Sequence, residues 1–363
     1  MSQTGEAAVR TKGRPRPPSV VDVARLAGVS IGTVSRVLNN TDHPVGEATR
    51  ARVLEAAAKI DYSPNALGRS LTRGRTHTVG VIVHDITDSY FNEIVRGIDD
   101  VAGARGYLVL VCSSYRDAGR EFEYVRKLRS QRCDGIIFVG GGLRVPEYLV
   151  DLDAQLEGLS KQGGAVVMLA PTDLSRPRIV ADTGPAIGDL VDHLVGMGHR
   201  DIALVEGPPQ VKTSAERAGA FDAALQRHGV HPDPELRAAG HFDRERGAAA
   251  LAELFERRKP FTAAVCLNDQ MAVGCLMEAK ARGLRVPEDL SIAGIDDLPV
   301  ARYLDPPLTT VRVPMRALGR AGMRSILSQL EGNRSTGART VPCEVVVRRS
   351  TGPAPTTDST EGW

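Results

Sequence analysis

From Thr78 to about Arg349 the chain alternates short apolar runs with longer amphipathic segments, and this alternation narrows the possible folds more than any other feature. The runs are Val79–Val83, Tyr107–Cys112, Gly135–Val139, Ala165–Leu169, Ile202–Val205, Ala263–Leu267 and Leu290–Ile295. Amphipathic stretches such as Phe91–Arg105 and Ser214–Arg227 separate most of them. Short strands that are apolar on both faces must be covered on both faces, and amphipathic helices do the covering. The pattern therefore predicts parallel α/β sheets. A stretch of roughly 270 residues is large for one such sheet. Two α/β lobes are expected, with a crossover near residue 180, at Gly184.

The segment from Ser19 to about Asp61 has a different texture. Val20, Val23, Ala24 and Ala27 recur at i, i+3, i+4 and i+7, which gives one apolar helix face. Ser19 with Asp22 forms a capping-box start, and Gly28 ends the helix, as a residue free to take positive φ should. Ser30 caps a second short helix whose Val34, Val37 and Leu38 face inward. A third helix begins at about Gly46, carries Val53, Ala56, Ala57 and Ile60 on one face, and stops at Tyr62-Ser63-Pro64. Helix, glycine-containing turn and short helix is the arrangement that lays its second helix in the major groove. Ile31, Gly32, Thr33, Ser35 and Arg36 fall on the faces of that helix that the core does not use. Arginine can make a bidentate contact with guanine, and hydroxyls can bond phosphates or base edges. A plain three-helix bundle is the alternative reading.

Charge separates the same two regions. The whole chain carries a formal net charge of only +2. Residues 1–75 hold 12 basic and 6 acidic side chains, and the remainder holds 34 and 38. Only the head is therefore expected to meet a polyanion. A solvated basic tail would explain the charge alone equally well. No apolar run approaches the roughly 18 residues of a membrane span, and the N-terminus has no apolar secretory core. Five cysteines without CxxC spacing fit a reduced, cytoplasmic compartment with no disulfide framework or thiolate metal site. Motifs for phosphate binding, nucleophilic serine chemistry and zinc hydrolysis are lacking, and Gly140-Gly141-Gly142 does not make a dinucleotide fingerprint. His193 and His199 are six apart and read as surface or capping residues. The expectation is a binding protein without a cofactor, a metal site or catalytic residues.

Here the motifs carry a resemblance. Asp22-Val23-Ala24, Ala27-Gly28-Val29-Ser30 and Thr33-Val34-Ser35-Arg36-Val37-Leu38-Asn39 resemble the DNA-binding head of the LacI/GalR family of bacterial transcription regulators. The likeness continues through Thr49-Arg50, Tyr62-Ser63-Pro64-Asn65-Ala66 and Arg69-Ser70-Leu71. In the body it extends over Asp85–Phe91, Cys133–Ile137, Gly198–Ala203, Asn268–Ala272, Gly294–Asp297 and Pro306–Val311. The resemblance implies an all-α helix–turn–helix head, a hinge helix, and a two-lobed α/β effector domain like a periplasmic binding protein. It further implies that the hinge orders on operator DNA, with Asn65, Arg69 and Leu71 facing it. Leu71 matches the leucine wedged into the minor groove, where apolar wedges kink DNA. Gly68 stands where alanine is usual, which should raise the ordering cost by about 1 kcal/mol. Within the arm, Gly13-Arg14-Pro15 with Lys12 and Arg16 resembles an AT-hook core, and a solubilising basic tail is the plainer reading.

Polar residues follow the strands of the body: Asp85, Asn268-Asp269 and Asp296-Asp297. Ligands of parallel α/β sheets sit at such strand ends, although Asp88, Asp269 and Asp297 could each simply cap a helix. Phe91 lies on the apolar stripe of its helix with Ile94, Val95 and Ile98, whereas Tyr90 lies off it and can face a cleft. By resemblance, Tyr90, Arg217, Phe242, Asn268 and Asp296 match the usual effector contacts. Thr213 matches less well, and Thr183 stands where asparagine is common. With Asp85 these form the candidate effector site. An arginine fork, a carboxylate and an amide can hold hydroxyls, while aromatic faces cover a ring. A sugar or polyol leads, with a purine or a small acid behind it.

The expected organisation is therefore a disordered arm (1–18), a helix–turn–helix head (19–64), a hinge (65–75), an effector and dimerisation body (76–350), and a disordered tail (351–363). Within the body the first lobe is expected at about 76–180 and 309–333, and the second at about 181–308 and 334–350. A homodimeric repressor on an approximately palindromic operator follows, since protein two-fold symmetry is mirrored in the DNA. The tail has no leucine heptads, so a dimer is preferred to a tetramer. A sugar-transport protein would need a signal peptide and no head, and an enzyme with a regulatory head would need a phosphate loop.

Overall fold

The computed structural model describes residues 16, 18–38, 44–63, 74–140, 142–333 and 337–355. Nearly all of the basic arm, the hinge candidates Asn65, Arg69 and Leu71, and tail residues 356–363 lie outside the described residues. The chain divides into two compact units, Met1–Thr76 and His77–Trp363.

In the first unit α1 (Val20–Ala27), α2 (Ile31–Leu38) and α3 (Glu47–Lys59) close around Val23, Ala24, Ala27, Val34, Val37, Val53, Ala56 and Ala57. The Ser19 N–H and hydroxyl both donate to the Asp22 carboxylate, at 2.9 and 2.6 Å. Those bonds tie down the first turn of α1 and hold the Asp22 carboxyl below the usual carboxylate range. Gly28 ends α1 at φ +64°, where an L side chain would be strained. The chain turns there, and the Ser30 hydroxyl accepts the Thr33 N–H at 3.1 Å to start α2.

The second unit contains two six-stranded sheets. The first holds β1 (Thr78–Val83), β2 (Leu108–Ser113), β3 (Gly135–Val139), β4 (Ala165–Leu169), β5 (Arg178–Asp182) and β11 (Ala338–Pro342). Its order is β11-β5-β4-β3-β1-β2, and every pair is parallel. The second holds β6 (Ile202–Glu206), β7 (Arg237–Ala239), β8 (Ala263–Cys266), β9 (Ser291–Asp296), β10 (Thr309–Arg312) and β12 (Glu344–Val346). Its order is β12-β10-β9-β8-β6-β7, parallel except for β12 against β10. The helices are α4 (Ser89–Ala104), α5 (Ala118–Ser130), α6 (Pro146–Lys161), α7 (Thr183–Gly196), α8 (Lys212–Arg227), α9 (Arg244–Glu256), α10 (Asp269–Ala281) and α11 (Met315–Leu330).

The chain passes between the lobes three times: after Asp182, between β10 and α11, and at Cys343. Two strands correct the expected lobe boundaries. Residues 309–312 pair with β9 in the second sheet, not the first, because Thr309 and Thr310 are buried there and the Thr310 hydroxyl bonds Asp269. Residues 338–342 pair with β5 in the first sheet, not the second, as an edge strand that is mostly exposed.

The end of the chain supplies a second correction. Residues 351–355 are ordered rather than loose. The His199 ring nitrogens bond the Thr262 hydroxyl at 2.8 Å and the Gly352 carbonyl at 3.0 Å. His193 Nε2 meets the Thr351 hydroxyl at 3.1 Å. His199 is fully buried rather than a surface residue. A buried imidazole needs two partners, and the C-terminal segment provides one of them.

Each lobe is closed by a helix pair that crosses at glycine. A Cβ on Gly319 of α11 would lie 2.0 Å from the Ile94 carbonyl oxygen of α4, and one on Gly97 would lie 2.1 Å from that of Arg316. In the second lobe a Cβ on Gly274 of α10 would lie 2.0 Å from the Arg244 carbonyl oxygen of α9. Gly319→Ala is expected to lower stability by about 1–3 kcal/mol through overpacking. Gly103→Ala, on the open side of α4, should be neutral or stabilising by about 0.4–1 kcal/mol. Denaturant melts of both variants test the pair, and equal effects would refute the crossing argument.

Candidate functional site

The recognition-type helix of the head presents the face expected of it. Ile31, Gly32, Ser35 and Arg36 are exposed and Thr33 is half-buried, while Val34 and Val37 are buried against α1 and α3. The 3.6-residue period makes this separation unavoidable once the core residues are fixed.

The larger site lies between the lobes of the second unit, at the carboxyl ends of both sheets. His84 follows β1, Gly140 follows β3, and Leu169 to Pro171 close β4. From the other lobe come Phe242 after β7, Asn268 after β8 and Asp296 at the end of β9. Tyr90, Phe91, Arg116, Thr183, Thr213, Glu216 and Arg217 complete most of the lining. The cleft holds about 740 Å³, its mouth included.

The floor is an ion pair. Arg217, on α8, donates from Nη2 to Asp296 Oδ1 at 3.0 Å and from Nη1 to the Leu267 carbonyl at 2.6 Å. Both side chains are about 5% exposed. Burial pushes the Asp296 carboxyl up to about 8, with the Arg217 charge pulling the other way. Burial opposes the Arg217 charge too, but Asp296 beside it holds the guanidinium charged. Arg217 Nε is buried and makes no hydrogen bond among the described residues, so one donor of the fork is unsatisfied.

Asn268 has a structural duty as well. Its side-chain oxygen accepts the Met271 N–H at 2.9 Å and caps α10, while its amide nitrogen reaches the Phe242 carbonyl at 3.3 Å. Asp269 is not the cap. It is fully buried, accepts the Thr310 hydroxyl at 2.6 Å and the Leu298 N–H at 2.7 Å, and is pushed up to about 6 by burial. Asp297 is not a cap either; Arg312 and Arg348 hold it at 2.7 and 2.6 Å. Asp88 does cap α4, accepting the Tyr90 N–H at 3.0 Å.

Aromatic rings form the walls. Phe91 is buried, as its stripe requires, yet also borders the cleft, and Tyr90 stands edge-on to it at 5.2 Å between centroids. Burial raises the Tyr90 hydroxyl. The Phe242 ring lies against Gly207, where a Cβ would come within 2.3 Å of it. Asp85 corrects an expectation. It accepts the Thr87 N–H at 2.8 Å in a tight turn and borders only an outer recess, not the cleft around Arg217.

Sequence reasoning missed His84, Arg116 and Glu216. His84 could have been found, because it directly follows the β1 run. Arg116 could not. It projects into the site because Tyr115 and Arg116 both take positive φ, at 53° and 58°. His241-Phe242 and Asp296-Asp297 are similar pairs on the other lobe. Three consecutive non-glycine pairs in this region place the strained backbone at the cleft, as binding sites often do.

The lobes also meet at a rim. Leu143 and Val211 form an antiparallel bridge, the Arg144 N–H donates to the Gln210 carbonyl at 2.8 Å, and the Lys212 N–H donates to that of Gly142 at 3.1 Å. Lys212 pairs with Asp173 across the same seam.

Comparison with known proteins places both units. Residues 19–65 match the family model described as bacterial regulatory proteins, lacI family, and residues 191–351 match a periplasmic binding protein-like domain. The chain is 36% identical to the HTH-type transcriptional repressor CytR of Escherichia coli (strain K12), over 94% of this chain and 99% of that protein. It is 32% identical to the HTH-type transcriptional regulator DegA of Bacillus subtilis (strain 168), over 92% and 98%. Among solved structures it is similar to the Lac repressor dimer bound to operator and the anti-inducer ONPF. That likeness has a TM-score of 0.82 at 27% identity and covers 93% of this chain and 100% of that one. A transcriptional regulator CelR–cellobiose complex is also similar, with a TM-score of 0.68 at 28% identity, over 92% and 99%.

Proposed function

The chain belongs to the lacI family of bacterial regulatory proteins, and from that premise we propose that it is a homodimeric, cytoplasmic repressor whose operator affinity is set by a sugar or polyol in the inter-lobe cleft. DNA binding through a helix–turn–helix and a periplasmic-binding-like ligand domain come with the family. The sugar rests chiefly on one observation: the Arg217–Asp296 pair on the floor, with Asn268 beside it and Tyr90, Phe91 and Phe242 as walls. Vicinal hydroxyls can accept from the Arg217 Nε and exchange hydrogen bonds with the Asp296 carboxyl, while the ring faces lie on aromatic carbon. Two solved relatives are described with cellobiose and with ribose, which supports the same class.

Two heads on one dimer would read two half-sites of an approximate palindrome. Residues 31–33, 35 and 36 would meet the major groove, with Asn65, Arg69 and Leu71 in the hinge. A ligand couples to DNA only through a difference in its affinity for the two lobe arrangements. The rim bonds around Val211 and Lys212 are contacts that would differ between them.

A gel shift on the DNA upstream of the chain's own gene, combined with a thermal-shift screen of sugars, tests this. The expected result is a retarded band whose midpoint moves with at least one sugar, and loss of that sugar's thermal shift in Asp296→Ala. A sugar response that survives Asp296→Ala would overturn the cleft assignment. No retarded band would overturn the operator.

A further inference from the structure

The first lobe buries a carboxyl that forms no part of the cleft wall. Glu121, in the first turn of α5, is about 5% exposed. It makes no ion pair among the described residues. Its Oε1 accepts the Ser114 hydroxyl at 3.0 Å, and its Oε2 accepts the Tyr148 hydroxyl of α6. Burial pushes the carboxyl up, and the two hydroxyls pull it back. A buried carboxyl without a cation is costly unless its bonds are satisfied, and both of its bonds tie other segments to α5.

The Ser114 bond leads to the cleft. Ser114 is fully buried and begins the corner from β2 to α5. Tyr115 and Arg116 follow it, both at positive φ. Asp117 then caps α5 by accepting the Arg120 N–H at 2.7 Å. Two strained residues in succession persist only where the structure around them is fixed. The Ser114 and Tyr115 N–H groups donate to the Val83 and His84 carbonyls at 2.9 and 2.8 Å. The Ser114 side chain adds the tie to Glu121, so the corner is fastened to β1 by its backbone and to α5 by its hydroxyl.

Arg116 carries that corner across to the other lobe. Its guanidinium lies over the Phe242 ring at 5.6 Å. Phe242 is strained in its turn, at φ +63°, and its N–H reaches the Met271 sulfur at 3.3 Å, a weak acceptor. The lobes cannot part at this point without giving up the stack.

We infer that Glu121 is a positioning residue for the cleft: through Ser114 it fixes the corner that sets Arg116 on Phe242, and so biases the lobe arrangement from inside the first lobe. In the function proposed above, ligand and DNA are coupled through that arrangement.

Hydrogen–deuterium exchange of the full-length protein, without ligand or DNA, tests the inference at the second-lobe segment 240–243. Arg116→Ala removes the stack and should speed exchange there about two- to fivefold, the range that one cation–π contact permits. Ser114→Ala and Glu121→Leu should do the same from inside the first lobe. Glu121→Gln, which can still bond both hydroxyls, should keep the parent rate. Tyr148→Phe takes the other hydroxyl from Glu121 and leaves the tie to Ser114. It should loosen α5 and α6 without speeding exchange at 240–243. Unchanged exchange at that segment in Ser114→Ala and Glu121→Leu would overturn the inference. An equal rise in Tyr148→Phe would overturn it too, since the effect would then be a general loosening of the first lobe. Where Glu121→Leu does not fold, the contrast between Ser114→Ala and Tyr148→Phe decides. These rates involve neither ligand nor operator, so their failure is separate from failure of the proposed function.

Discussion

Arg217→Met is expected to be among the most damaging single changes in the second unit, because it leaves the Asp296 carboxyl buried without its cation. Removing one partner of a buried pair typically costs on the order of 3–5 kcal/mol, far more than the pair contributes over a neutral replacement. Here the loss should depend on pH. The folded Asp296 carboxyl sits at about 8, above its ordinary 3.8. A raised carboxyl contributes stability that is complete below the unfolded value and is lost as pH rises through the folded one. Arg217 limits that loss by stabilising the anion. Without it the carboxyl keeps its proton to higher pH, and the loss continues. At pH 5 the deficit of Arg217→Met should therefore be on the order of 1–2 kcal/mol, from the lost hydrogen bonds. At pH 9 it should be larger by about 1.4 kcal/mol, the loss of one proton's worth of stability over the single pH unit above the folded value of about 8. Adding Asp296→Asn should remove most of the pH dependence, because no titrating group is then left at the floor. Urea melts at both pH values read this directly. A deficit independent of pH would mean that Asp296 carries the same charge throughout, and would sink the account.

Much of this floor was open to sequence reasoning, and the reason is local. Asn268 and Asp296 each follow a buried apolar run, so a parallel sheet must place them at its carboxyl edge. Arg217 and Phe242 follow no such run, and only the family likeness picked them out. The lobe boundaries failed for a related reason. β10 reads Thr-Thr-Val-Arg, and its threonines are buried only because Asp269 and Thr351 satisfy their hydroxyls. β11 reads Ala-Arg-Thr-Val-Pro and is paired along its length to β5, with only Val341 packed against the core. Neither segment alternates or clusters its apolar residues, so pattern reasoning has nothing to grip. The tail misled in the opposite direction. Its composition suggests disorder, yet a buried histidine far away in sequence needs the Gly352 carbonyl. The helix–turn–helix was the clearest element, because its capping box, its left-handed Gly28 and its i, i+3, i+4 stripe agree with one another. Its agreement with the fold also determines which residues are free to do something else.

Those free residues set the second large effect. Arg36 is exposed on α2, between buried Val34 and Val37, so its removal should leave the fold of the head intact. If it reads a guanine, Arg36→Ala should weaken operator binding by about 1–3 kcal/mol, roughly five- to 150-fold. The same change should relax the preference at one base pair of each half-site. A phosphate contact would behave differently. It would weaken binding to all sequences alike and reduce the slope of log affinity against log salt by about one. Ser35 and Thr33 lie on the same face but are short, so their alanine variants should act mainly through phosphates and cost less. Gel shifts of Arg36→Ala on the operator and on single-base variants, at several salt concentrations, separate the cases. Relaxed discrimination with a preserved salt slope supports base reading. A binding constant within twofold of the parent on every sequence would remove Arg36 from the interface, and α2 would then be packing rather than reading.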